Sequence, residues 1–475
     1  MKRRILFAII IVFSSALLNL KAQFIEDALM MINKNSMITP RAGGLNVAFY
    51  GLSDDGSALM YNPAGLGLIN MGEISLGLGF TRNSTTSTFL GNDLNLKTNN
   101  EYITHATIVS PFKMSTKTAA VGIGYFLENN FDNNIDFSAF NNKYTFIKNQ
   151  ADFGPREFNS NMSTFLWLAN KDFYTPIKDS LLQTANIMET GGIHNVTGSI
   201  AVNITDFLSV GLSITGKWGT YKYKRKYYET DIYNKYNYAD YTNWTNIDLD
   251  KLTVEDDISK KISGINGSIG LMARIEDFGR ISAIVKFPTL YTIEEDFSRT
   301  AWALYDDGTR SANDFIDKGS TSYKIETPFV YAAGISFNLY GLTFSAGVEY
   351  NDDTQLQFSD ATKEVEDLNM RIKRELVGQT TWGFGLEYEL PWIPFVLRTS
   401  YANTNSPYVQ DIPYASVHIF SIGAGVYFGD NIRLDGLFRW TDHAELRTNY
   451  SNGYGSTYTF RAQPLSIGLQ FTYRH

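Results

Sequence analysis

Apolar and polar side chains alternate along this chain in about fourteen segments, from roughly residue 72 to the C-terminus. Because successive side chains of a β-strand point to opposite faces, such alternation predicts strands with one apolar and one polar face. In Leu208–Trp218, for example, Leu212 and Ile214 share one face, whereas Ser213 and Thr215 share the other. The predicted strands occupy approximately residues 72–82, 101–112, 118–128, 194–204, 208–224, 260–275, 280–297, 323–339, 342–351, 376–390, 395–403, 415–428, 432–445 and 457–474.

The connections between these segments alternate in length. Tight turns such as Thr205–Phe207 and Tyr340–Gly341 alternate with long, polar, tyrosine-rich loops such as Asn129–Gly191 and Tyr227–Ile258. This sorting is typical of an antiparallel barrel in an outer membrane, which has short periplasmic turns, long outer loops and an even number of strands. The pattern predicts an all-β fold, a transmembrane antiparallel β-barrel of about 14 strands over residues 71–475.

Composition is compatible with a barrel. Mean hydropathy is −0.19, and no later segment approaches the roughly 18 apolar residues of a spanning helix, which argues against a helical membrane protein. Alternation hides the apolar character of barrel strands, and the high aromatic share of 14% fits their interfacial girdles. The chain has no cysteine, so disulfides are excluded.

The first 22 residues are predicted to be a signal peptide. A basic start at Lys2-Arg3-Arg4 precedes the apolar stretch Ile5–Leu18, and Leu20-Lys21-Ala22 is a plausible cleavage site. The alternative is a membrane anchor helix. Cleavage would remove four positive charges and lower the formal net charge from −8 to −12, which argues against a nucleic-acid partner.

Residues 23–70 differ from the rest of the chain. They have too few strand signals to belong to a barrel wall and are too apolar for a disordered tail. We therefore expect an N-terminal plug, or hatch, inside the lumen, with a periplasmic extension as the alternative. Asn62, Pro63 and Ala64 are candidate gating residues within it, although Asn-Pro also begins ordinary turns.

Several basic residues fall on faces that must point into the lumen, because a charge facing mid-membrane lipid costs about 2–4 kcal/mol. These are Lys217, Lys286, Arg398 and Arg439. On face and charge alone, the first three are candidate ligand-binding residues that could neutralise a carboxylate. They could instead pair with lumenal acids such as Glu387 or Asp435.

Two glycines, Gly122 and Gly124, share the inward face of the third strand. Glycine in a strand permits close backbone approach, so these positions are candidates for plug contact or a kink in the wall. Ordinary packing in the lumen is the alternative.

Several of these segments together resemble the FadL/TodX family of outer-membrane transporters for long-chain fatty acids and aromatic hydrocarbons. Arg41-Ala42-Gly43-Gly44, Ser53-Asp54-Asp55 and Asn62-Pro63-Ala64 are similar to the hatch of that family. Phe395–Tyr401 followed by Ser406-Pro407 is similar to a characteristic strand and loop, although Ser400 replaces the usual glycine. The C-terminal residue, His475, also departs from the aromatic residue that commonly ends such barrels.

The resemblance implies a hatch-closed barrel in the outer membrane of a Gram-negative bacterium. Its partners would be a hydrophobic small molecule, such as a fatty acid or hydrocarbon, and outer-membrane lipid. Transport would be passive, with capture by outer loops, an internal pocket contacted by Phe24, hatch movement and lateral release near the third strand. A monomer without cofactor or metal is expected.

Two other functions compete with transport. Some barrels similar to this family act as receptors or shuttles in protein secretion or surface attachment, and this remains the alternative. A hydrolase would need a serine, a histidine and an orienting group in one cluster. The five histidines are scattered, and Ser416 and His418 share a face as neighbouring strand residues often do, so we do not expect an enzyme.

Overall fold

The computed structural model describes residues 25–32, 39–114, 117–240, 245–276, 278–450 and 454–475. The predicted signal peptide and Phe24 lie outside these ranges. Within them, no helix is long and apolar enough to cross a membrane.

Twenty strands dominate the structure. They are β1 Glu73–Phe89, β2 Asn92–Met114, β3 Lys117–Asn130, β4 Asn133–Asn141, β5 Leu181–Asn203, β6 Leu208–Thr230, β7 Asn237–Asp240, β8 Thr245–Ile275, β9 Gly279–Lys286, β10 Leu290–Tyr305, β11 Phe315–Glu326, β12 Val330–Leu339, β13 Leu342–Asp352, β14 Gln357–Ser359, β15 Gly378–Glu389, β16 Phe395–Thr404, β17 Val417–Phe428, β18 Ile432–Thr448, β19 Thr457–Ala462 and β20 Leu465–Arg474. The α-helices are Ile25–Leu29, Pro40–Gly43, Phe146–Phe153, Met162–Phe165, Lys363–Glu366 and Leu368–Glu375. The 3₁₀ helices are Met30–Ile32, Asn46–Gly51, Gly56–Leu59, Pro63–Leu68 and Asp353–Gln355.

These strands form a closed antiparallel barrel of 14 wall strands, as predicted. Short interruptions divide three of the wall strands, giving the pairs β9 and β10, β11 and β12, and β19 and β20, while β4 continues β3. The short strands β7 and β14 pair with β8 and β11 without adding a wall strand. The barrel closes where β1 pairs with β20, from Glu73 opposite Arg474 to Arg82 opposite Leu465.

Exposure alternates along the wall strands. In β20, Ile467, Leu469 and Phe471 are exposed, whereas Gln470 and Thr472 are buried in the lumen. An exposed apolar belt of this kind is stable against hydrocarbon rather than water. The tight turns at one rim add exposed aromatic side chains, namely Phe207, Phe278, Tyr340, Trp392 and Phe428.

Residues 39–70 fill the lumen as a plug, which confirms this part of the expected fold. Capping side chains start its short helices: Thr39 accepts from the Ala42 amide, Asp55 from Ser57 and Asn62 from Ala64. Proline at the first helical position, as at Pro63, already has the backbone angle that a helix needs. Local hydrogen bonding therefore replaces strand pairing in this segment.

Candidate ligand cavity

The Asn-Pro-Ala turn of the plug docks directly on the barrel wall. The Asn62 amide nitrogen donates to the Leu271 carbonyl at 3.0 Å, while its oxygen accepts from the Ala64 amide at 3.0 Å. The wall has a glycine at two of the positions that contact this turn. A Cβ on Gly270 would lie 1.9 Å from Asn62 Oδ1, and a Cβ on Gly211 would lie 2.2 Å from the Ala64 nitrogen, so neither position has room for a side chain. The turn therefore fits only where the wall has no side chains. A gating role for it stays a prediction.

A buried ion-pair network holds the base of the plug. Arg41 contacts Asp55 at 2.9 Å and Glu387 of β15 at 3.1 Å. Arg398 of β16 binds the same Glu387 and also Asp435 of β18, at 2.7 Å. Arg398 thus lies in the plug-to-wall network that the sequence left open as an alternative.

The other two candidate cations also face acids. Lys217 donates to Glu128 at 2.7 Å. Lys286 lies 4.0 Å from Glu349 and over the ring of Tyr50 in the plug. None of the three candidate cations is among the described residues that line the lumenal cavity of about 960 Å³, so the structure does not bring them together. Their ligand-binding role stays a prediction.

Gly122 and Gly124 lie against the plug. A Cβ on Gly122 would be 3.1 Å from one methyl group of Leu59, and a Cβ on Gly124 would be 2.9 Å from the other. The inward face of β3 therefore receives the Leu59 side chain where the two glycines leave room.

The β2–β3 ladder stops partway up the wall. It runs from Met114 opposite Lys117 to His105 opposite Phe126, whereas the β1–β2 ladder continues to Phe89 opposite Asn92. The register of β3 shifts at Glu128, which forms a bulge, and the chain continues into β4, which pairs with β5. Bulges bend strands. We call the place where β2 and β3 part the notch.

A cavity of about 960 Å³ occupies the long-loop side of the plug. This volume is within the range of small-molecule sites, roughly 300–1,000 Å³. Its wall combines aromatic rings with charged and amide groups, and it reaches the notch between Asn100 and Tyr102 on β2 and Leu127 and Asn130 on β3. The aromatic lining includes Phe131, Tyr221, Tyr223, Phe297, Phe315, Tyr408, Tyr458 and Phe460.

The N-terminal helix Ile25–Leu29 forms one side of this cavity. Its Ile25 and Ala28 pack in an apolar cluster with Ile293 and Tyr323 of the wall. Lys260 of β8, 1% exposed, contacts Asp27 of this helix and lies 3.4 Å from Glu295 of β10. Lys260 was not predicted from the sequence, although its position between Ile258 and Ile262 on one strand face indicates a lysine on an apolar face.

The segment between β3 and β5, residues 131–180, folds into a cap over the cavity. The cap helix Phe146–Phe153 contributes Phe146 and Phe153 to the cavity wall. Glu229, at the outer end of β6, accepts hydrogen bonds from the Phe146 amide at 2.5 Å and the Ile147 amide at 3.2 Å. This carboxylate therefore ties the first turn of the cap helix to the barrel.

Glu229 lies outside the membrane belt, because the outward positions that follow Trp218 on β6 include the exposed Lys224 and Lys226. Burial raises the pKa of Glu229 from 4.5 to about 7, although hydrogen bonds to its carboxylate oppose that rise. The closed cap is thus most stable below pH 4.5, where Glu229 is protonated whether the cap is closed or open. The closed cap loses stability as the pH rises toward 7, because the Glu229 carboxyl ionises readily only when the cap is open and water reaches it.

We expect hydrogen exchange at Phe146 and Ile147, corrected for intrinsic rates, to lose protection about tenfold per pH unit between pH 5 and 7. Glu229→Gln should flatten this dependence, because the amide oxygen still accepts but does not titrate. Glu255→Gln, at a partly exposed acid on β8, is the matched control and should keep the slope. Equal slopes in all three proteins would show that Glu229 does not control the cap.

The fold is shared with solved structures of a FadL homologue and of two toluene transporters. A Pseudomonas aeruginosa FadL homologue superposes with a TM-score of 0.55 at 12% identity, covering 90% of this chain and 97% of that one. The Ralstonia pickettii toluene transporter TbuX gives 0.54 at 16% identity with coverage of 93% and 99%, and the P. putida toluene transporter TodX gives 0.52 at 11% with 89% and 94%. No family model and no curated protein matches the sequence. The resemblance to the FadL/TodX family is thus confirmed at the level of the fold.

Proposed function

We propose that this chain is a passive outer-membrane transporter of hydrophobic small molecules, with long-chain fatty acids among them. The observation that carries the proposal is a cavity, lined by the N-terminal helix, the cap and the barrel wall, that reaches the notch. The exposed apolar belt supports a membrane location, and the transporters with the same fold support the type of cargo.

In this proposal, ligand enters beneath the cap, occupies the aromatic cavity beside the N-terminal helix and leaves sideways between β2 and β3. The plug remains the barrier to water, and the Asn62-Pro63-Ala64 turn is the contact that must shift if the plug moves. The chain works as a monomer and performs no chemistry on its cargo.

Mass spectrometry of small molecules released from the detergent-extracted, never-refolded protein tests the cargo. A hydrophobic compound near one copy per chain, freed only on unfolding, supports transport. An empty barrel that retains a protein in fixed ratio supports instead a receptor or shuttle in secretion or surface attachment.

Bridging the notch should block lateral release. Asn100 donates to the Asp132 carbonyl at 3.2 Å across it, and because the chain has no cysteine, Asn100→Cys with Asp132→Cys introduces the only two thiols. After a short thiol-cleavable cross-link, we expect uptake of a labelled hydrophobic compound to fall at least tenfold and to recover on reduction.

The matched control bridges β2 and β3 where they already pair, with Lys113→Cys and Thr118→Cys. Because no opening exists at that level, uptake should be unaffected. Unchanged uptake through a barrel bridged at Asn100 and Asp132 would contradict the lateral route and leave the cavity as a binding site only.

A further inference from the structure

Negative charge exceeds positive charge on the wall of the cavity. The described residues that line it include eight acids, namely Glu26, Asp27, Asp132, Glu189, Asp256, Asp317, Asp411 and Glu445. They also include five bases, namely Arg156, Arg225, Lys260, Arg299 and Arg447. The formal net charge of the described lining is therefore −3, with His443 neutral. Low-dielectric walls concentrate the field of such a charge, so the cavity attracts cations and repels anions.

The bases of this lining are already engaged. Four of them form ion pairs with lining acids: Arg225 and Arg299 with Asp256, Arg447 with Glu189 and Glu445, and Lys260 with Asp27. The fifth, Arg156, donates hydrogen bonds to the backbone carbonyls of Ala151 and Asp152. A carboxylate head group in the cavity would therefore have to compete with an existing partner for every described cation of the lining.

Four acids of the same lining form no ion pair within the described chain. These are Glu26, Asp132, Asp317 and Asp411. Glu26 belongs to the N-terminal helix and Asp317 to β11, and both are exposed although they line the cavity. A ligand in the cavity thus meets carboxylates that have no described cation at ion-pair distance.

Tyr408 marks the place where this negative charge converges. It lines the cavity from the loop 405–416, between β16 and β17. Burial raises the pKa of its hydroxyl, and Glu26 of the N-terminal helix, Glu445 of β18 and Asp411 of the same loop add to the rise. Burial raises the pKa of Glu26 too, although a backbone hydrogen bond and Arg371 of the last α-helix oppose that rise. An aromatic ring beside carboxylates suits a cation, which the face of the ring attracts as well.

We propose that the cavity prefers cationic and neutral head groups, so that an alkylammonium binds more tightly than an alcohol of equal length, and the alcohol more tightly than a carboxylate. The inference rests on the proposed function and names the head-group class of the cargo. Fatty acids bind best when protonated, because a carboxyl O–H donates to the unpaired carboxylates, whereas the carboxylate anion is repelled by them. The head group lies beside Glu26 and Tyr408, and the tail lies among the aromatic rings of the wall.

Equilibrium binding of radiolabelled decylammonium, 1-decanol and decanoate to the full-length protein in a maltoside detergent at pH 8 tests this proposal. Each affinity is corrected for partition of the ligand into protein-free micelles. Histidine is neutral at this pH, so the lining keeps its negative charge. Decylammonium should bind at least tenfold more tightly than decanoate, with decanol between the two.

Removing one carboxylate from the wall should reduce this preference. Glu26→Gln should lower decylammonium affinity about threefold to tenfold and raise decanoate affinity by a similar factor, while decanol affinity stays within about twofold. Asp317→Asn should act in the same direction and serves if Glu26→Gln does not fold. Glu366→Gln is the matched control, because it removes the same charge from an exposed helical position outside the described lining. It should change none of the three affinities.

A pH series with decanoate gives a second readout. Between pH 8 and pH 5, the affinity for total decanoate should rise about tenfold relative to decanol, because the acid becomes protonated. Taking the ratio to decanol removes any effect of pH on the cap through Glu229. The rise should be smaller in Glu26→Gln, since that protein repels the anion less. A constant ratio in the unaltered protein would show that decanoate binds as the anion and would overturn the proposal.

The outcomes separate the two levels of the argument. If decanoate binds at pH 8 as tightly as decylammonium, or if all three affinities fall together in Glu26→Gln, the head-group preference is overturned and transport stays in place. Binding of none of the three compounds to the unaltered protein overturns the proposed function itself.

Discussion

Replacing Gly211 by valine should displace the plug and open the barrel to small hydrophilic solutes. A Cβ at this position would lie 2.2 Å from the Ala64 nitrogen and 2.3 Å from the Pro63 carbonyl carbon. Both are backbone atoms, so no side-chain rotation relieves the collision. Overpacking of this kind costs about 1–3 kcal/mol or more. Because ladders with β5 and β8 hold β6 on both sides, the plug rather than the wall should give way.

Planar-bilayer recordings would show the effect as ion-conducting openings that the unaltered protein lacks. Gly216→Val is the matched control: it lies on the same strand, five residues away, and a Cβ there has no atom within 4 Å. It should remain closed and insert normally. Silent recordings from both variants, with both barrels folded, would mean that contact with the Asn-Pro-Ala turn does not hold the plug shut.

The strand number could be predicted because the membrane imposes it. Wherever one face meets lipid and the other the lumen, alternation appears in the sequence, as at Leu212 and Ser213. Beyond the exposed apolar belt, strands no longer need this alternation of apolar and polar residues. Residues 83–88 read Asn-Ser-Thr-Thr-Ser-Thr and fall between the predicted strands 72–82 and 101–112, yet they belong to β1. Strand segments outside the membrane have no lipid-facing side, so apolar and polar residues need not alternate along their sequence.

The plug turn and the inward direction of the lumen cations could also be predicted, but the partners of those cations could not. Lys217 pairs with Glu128, 89 positions earlier in the chain, and such pairings depend on barrel register and on the bulge in β3. Arg439, like Arg398, lies on a strand face that the sequence predicts to point into the lumen. Only the three-dimensional structure shows that Arg398 pairs with Glu387 and Asp435, whereas Arg439 forms no ion pair with a described residue.

The cavity was the least predictable feature, because an element far away in the sequence forms part of its wall. The N-terminal helix is only five residues long, too short to be stable alone. It stays in place through apolar packing and through one ion-pair cluster around Lys260. Removing that cluster should therefore have a large effect on ligand binding.

Lys260→Met should release the N-terminal helix and lower the affinity for 1-decanol about 100-fold, since removing one partner of a buried ion pair costs about 3–5 kcal/mol. Asp27 and Glu295, which is 0% exposed, would then face each other with no cation between them. Moving the helix outward separates the two carboxyl groups and removes the cavity wall formed by Leu29 and Met30.

Equilibrium decanol binding and hydrogen exchange across residues 25–32 measure the two consequences together. Lys261→Met is the matched control, because this lysine is the next residue on β8 and is exposed on the opposite face. It should bind decanol normally. Adding Asp27→Asn to Lys260→Met should restore part of the affinity, since only one buried acid then lacks a partner. If Lys260→Met alone leaves both affinity and protection unchanged, apolar packing by Ile25 and Ala28 suffices, and the ion pair does not position the helix.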